Sequence, residues 1–75
     1  MEKKLARYLL LLVNDKETYD RFQALVQHKI ESNLKNLETT KDTTRIYEIQ
    51  GALAELRRME HIREEIIEAA EWSVA

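Results

Sequence analysis

The sequence predicts an all-α protein, and three observations carry that reading. The chain has no proline and a single glycine, so almost nothing punctuates a helix. Ala, Leu, Ile, Glu, Lys, Arg and Gln dominate it, and most of these are good helix formers. Its apolar residues recur at three- and four-residue spacings, the period of a helix face. The expected architecture is an antiparallel helical hairpin with a short extra N-terminal helix, forming one domain over residues 1–75.

The first helix is expected at about 3–13. Leu5, Tyr8, Leu9 and Leu12 make one face, and Leu10, Leu11 and Val13 widen the apolar surface almost all round. A helix apolar on more than one side wants partners on more than one side. Two readings follow: a core helix pressed onto the hairpin, or a surface for a partner. On the partner reading the contact centres on Leu9, Leu10, Leu11 and Leu12, with Trp72 as a second anchor. Lys3, Lys4 and Arg7 ahead of the apolar run also fit a helix lying on a membrane surface. The run from Tyr8 to Val13 is too short to span a bilayer, no cleavage signal follows it, and the expectation is no membrane.

Asn14-Asp15-Lys16-Glu17 marks a break, with Asn14 as N-cap and Glu17 completing a capping box. The second helix is expected at about 15–38, with a stripe of Tyr19, Phe22, Val26, Ile30, Leu34 and Leu37. A polar loop at 39–43 follows, and Asp42 or Thr43 caps the third helix, expected at about 44–72. So short a connection makes its flanking helices antiparallel neighbours.

The third helix opens with the stripe Ile46, Ile49, Leu53, Leu56. Set antiparallel, Leu37 meets Ile46, Leu34 meets Ile49, Ile30 meets Leu53 and Val26 meets Leu56. The stripe then drifts through Met59, Ile62, Ile66 and Ala69 or Ala70, which points to a short, straight seam. Gly51 lies inside this helix, where glycine costs ~1 kcal/mol relative to alanine. Close approach of the second helix at Ser32 is expected to offset that. Gly51, Leu34, Ile49, Leu53 and Leu56 are thus the expected helix-packing residues.

Little in the chain points to chemistry. His28-x-x-Glu31 and His61-x-x-Glu64 invert the Glu-x-x-His order of di-iron bundles, and neither glutamate falls on a stripe. No metal or cofactor is expected. There is no cysteine, no glycine-rich phosphate loop and no serine in a nucleophile setting, so the chain reads as no enzyme. The net charge is −2, with the surplus of acid in the C-terminal half, and the basic residues are not interleaved with aromatics. No nucleic acid partner is expected. Glu60, Glu64, Glu65, Glu68 and Glu71 form an acidic run with arginines beside it, read as a solvated face or a dock for a basic partner.

The segment from Leu34 to Leu56, LKNLETTKDTTRIYEIQGALAEL, carries a Thr/Asp-rich turn, then Ile49-Gln50-Gly51, Leu53 and Leu56. It resembles small helical-hairpin accessory or virion proteins of tailed bacteriophages, over about a third of the chain. That resemblance implies an assembly role in the virion or host cytoplasm. The expected function is a non-enzymatic assembly or adaptor module, with copies of itself or a larger virion protein as partner. A phage-encoded binder or inhibitor of a host protein is the alternative.

Overall fold

The computed structural model describes residues 1–71, and within them the chain is all-α. Four helices follow in order: α1 (Lys3–Asn14), α2 (Lys16–Thr39), α3 (Thr43–Met59) and α4 (Ile62–Glu71).

The first turn of the chain rests on one residue. Asp15 is extended, with φ −86° and ψ 102°, and it ends α1 while capping α2. Its carboxylate accepts from the Thr18 N–H at 3.4 Å and from the Thr18 hydroxyl at 2.9 Å. The cap is therefore Asp15 and not Asn14, because Asn14 still belongs to the last turn of α1. At the second turn Asp42 plays the expected part, accepting from the Thr44 N–H at 3.0 Å. The short link Thr40–Asp42 folds α3 back along α2.

The α2–α3 seam is the stripe that the sequence displays. Val26, Ile30, Ile49 and Leu53 are buried together, with Phe22, Leu37, Leu56 and Met59 at the margin. Two expected packing residues are corrected here. Leu34 is 38% exposed and does not seat against Ile49 in this cluster. Steps of four residues advance about 40° round a helix, so Val26, Ile30 and Leu34 roll progressively off the seam before Leu37 returns to it.

Gly51 is the other correction. It is exposed, its φ is not positive, and a Cβ built there meets no atom within 4 Å. Two residues past Ile49 is about 200° of helix, so Gly51 lies on the far side of α3 from α2. No backbone approaches it, and no contact offsets its propensity cost.

The expected helix at 44–72 is in fact two. Glu60 and His61 interrupt it. The Glu60 N–H donates to the carbonyls of Leu56 and Arg57, both at 3.2 Å, and the His61 N–H donates to Arg58 at 3.0 Å. The last turn of α3 thus tightens to three-residue bonding, as helix ends commonly do. Arg58 crosses the break, donating from Nε at 3.2 Å and from Nη2 at 2.6 Å to one Glu65 oxygen. That contact holds the Arg58 guanidinium above its ordinary pKa.

Beyond the break α4 packs on α1. Val13, Ile62 and Ile66 are buried together, flanked by Leu9, Leu10, Tyr19 and Met59. The end of α1 and the start of α4 meet at the junction, so the two helices run antiparallel away from it. Ala6 and Ala70, small and both buried, occupy their far ends.

The result is a thin layer. Its extents are 49 × 27 × 13 Å, and the smallest is little more than the diameter of one helix, about 10–12 Å. The radius of gyration is 15.4 Å. A compact chain of this length would have about 11 Å.

Ile49 and Ile66 are the two largest fully enclosed side chains, one in each cluster. Ile49→Ala and Ile66→Ala should each lose about 2–5 kcal/mol of stability in urea titrations. Gly51→Ala should gain ~1 kcal/mol, since propensity acts there without opposition. A loss at Gly51→Ala would restore the close-contact reading.

Candidate protein-contact surface

One turn of α1 after another presents apolar side chains in two directions. At about 100° per residue, Ala6, Leu9, Leu10 and Val13 share one side, and Leu5, Tyr8 and Leu11 share the other. The first side faces α4 and the start of α2. Ala6 and Val13 are buried there, and Leu9 and Leu10 are half-buried against the Val13–Ile62–Ile66 cluster. The second side is open. Leu11 is 82% exposed and Tyr8 77%, with Leu5 and Met1 about half exposed beside them.

The expected partner set therefore divides. Leu9 and Leu10 belong to the core, because α4 turns back at the break and covers them. Leu12 falls between Leu5 and Tyr8 in helix angle and is half-buried, so the strip is partly covered at its C-terminal end. Leu11 alone of the four is fully presented to solvent. Trp72 lies outside the described residues. Leu5 and Tyr8, which the sequence groups on one face with Leu9 and Leu12, instead form the strip with Leu11. The signal that could have found them is the pair Ala6 and Val13, seven residues apart, which marks the true inner face.

The charges round the strip are uneven. Lys3, Lys4 and Arg7 crowd the N-terminal end of α1. Its first turn has no acidic residue, its last turn has no basic one, and Glu2 caps it without a side-chain hydrogen bond. The cations thus sit at the helix end whose dipole is already positive. Lys4 flanks Leu5 and Tyr8 in a shallow surface depression.

Elsewhere the surface is less organised. Leu25 on α2 and Tyr47 on α3 are exposed singly, which is normal for soluble proteins. A groove of about 430 Å³ between α1 and α4 is lined by Arg7, Leu10, Asn14, Ile67, Ala70 and Glu71. His28 and His61 are exposed, and no three His, Asp or Glu side chains converge on a metal-sized site among the described residues. Lys16 pairs with Asp20 at 2.8 Å, and this hydrogen bond raises the lysine pKa. No helix among the described residues is long and apolar enough to cross a membrane.

The fold and the strip define a small all-α helical layer with one open apolar edge. No family model, curated protein or solved structure matches the chain.

The division of α1 has a direct consequence for stability. At protein concentrations dilute enough to keep the chain monomeric, Leu11→Ser should leave the unfolding free energy in urea within about 0.5 kcal/mol of the parent. Val13→Ala, only about 3 Å further along the helix but on the inner side, should cost about 2 kcal/mol. Comparable losses at both positions would mean that Leu11 is covered within the monomer.

Proposed function

We propose that this chain is a non-enzymatic helical assembly or adaptor module that works by protein–protein contact through the outer strip of α1. The observation that carries the reading is the exposure of Tyr8 and Leu11, with Leu5, on one side of a helix whose other side is already packed. A strip of large apolar side chains at three-residue spacing forms one continuous surface, unlike the scattered leucines of ordinary surfaces. The excess of surface supports the same reading. The chain exposes 5847 Å². A compact monomer of this mass exposes about 4,800 Å². The setting we propose is particle assembly, in the virion or the host cytoplasm, and its support is the resemblance of Leu34–Leu56 to small phage accessory proteins.

A photoreactive amino acid placed at position 11 in the cells that make the protein should yield covalent protein adducts. The same group at Lys29, an exposed position on α2, should yield none. Absence of an adduct at position 11 would end the reading.

A further inference from the structure

We propose that the occupant of the α1 strip is a second copy of this chain, seated as an antiparallel α1–α1 pair about a two-fold axis close to Tyr8. The proposal rests on the contact reading above and names its partner.

Three features point to a second copy. The first is shape. The layer is 13 Å thick, so the strip runs along an edge about one helix wide. Such an edge offers a seam that another helix can fill along its length. The second is area. The chain's excess over a compact monomer is roughly 1,000 Å² by the size law, and a standard interface takes about 800 Å² from each partner. One contact of ordinary size would absorb the excess.

The third is charge and symmetry. Leu5, Tyr8 and Leu11 are evenly spaced, so reversal about Tyr8 maps Leu5 onto Leu11 and the strip is complementary to itself. Two-fold pairing needs that property. The same reversal brings Lys4 of one copy to the last turn of α1 in the other. That turn has no basic residue, and its carbonyls form the negative end of the helix. Lys4, at the positive end of its own helix, is set beside the negative end of its neighbour's in the pair.

The test uses the purified full chain. Sedimentation equilibrium should show a dimer, and Leu11→Glu should weaken it by roughly tenfold or more. The circular dichroism of Leu11→Glu should stay unchanged, because that side chain is outside both clusters. Because the chain has no cysteine, the pairing sense can be read by oxidation. Tyr8→Cys should form a disulfide between copies, and a mixture of Leu5→Cys with Leu11→Cys should do so as well. Leu11→Cys alone should not, whereas a parallel pair would cross-link it. A parent that stays monomeric at millimolar concentration overturns the proposal, as does a monomer that binds anionic phospholipid vesicles through the strip. If that monomer still gives adducts of another protein at position 11 in cells, the dimer fails and the contact function stands. If no adduct forms, both fall.

Discussion

The interruption at Glu60 and His61 is the constraint on which the rest of the structure depends. It separates two helix pairs that share a single junction. At that junction two helix C-termini are satisfied by side chains from neighbouring helices. The Gln23 amide of α2 donates to the Met59 carbonyl at 3.0 Å, and Arg63 of α4 donates from Nε to the Val13 carbonyl at 3.3 Å. These are the carbonyls that a helix leaves without internal partners. Gln23 is itself held by the Tyr19 hydroxyl at 3.0 Å. The end of α3 is thus tied to α2, and the end of α1 to α4. Met59 packs against both apolar clusters, and its flexible thioether side chain suits a position where two cores meet.

The thin layer follows from that arrangement. The first cluster is built by α2 and α3 alone, and the second by α1 and α4 with Tyr19 of α2 and Met59 of α3 at its margin. Every buried side chain is apolar, and no buried side-chain polar atom lacks a partner among the described residues. The exposed pairs, Lys16–Asp20, Glu17–Arg21 and Arg45–Glu48, lie along helix surfaces where such contacts add little. The fold is held by a small apolar area divided in two. Chains of this size commonly complete such a core by association.

The fold class and the α2–α3 seam were legible in the sequence because both depend on helix period alone. The stripe of Val26, Ile30, Ile49 and Leu53 is the observed core. The Asp42 cap was legible for the same local reason. The break in the last helix was less so. From Leu53 to Ile66 the helix turns through thirteen residues, which leaves Ile66 about 140° from Leu53. The drift of the stripe reflects that rotation, and a first helix pressed onto the hairpin is the partner it calls for. One unbroken helix with a straight seam is what the period predicts, but a break that turns α4 back against α1 is what forms. Glu60 and His61 carry no glycine or proline to mark the stop. Gly51 failed in the opposite way. Its local signal was strong, yet its angle from Ile49 already placed it away from α2. The strip was half legible: six consecutive apolar residues announced two faces, but not which face α4 would take.

The helix that carries the strip is also the one least able to stand alone. At twelve residues α1 is at the lower limit for a persistent helix in water, and its end charges oppose its dipole. Its order comes from Ala6 and Val13 packing inward and from Arg63 donating to the Val13 carbonyl. Leu5, Tyr8 and Leu11 line up only while that inner side is seated, because alignment of the strip is a property of the helix. A partner that recognises the aligned strip therefore binds the ordered α1–α4 pair and not its frayed form. By linkage, such binding stabilises that pair in proportion to the logarithm of partner concentration over affinity. Contact outside and packing inside α1 are two sides of one equilibrium, and the break at Glu60–His61, by bringing α4 back against α1, sets where it lies.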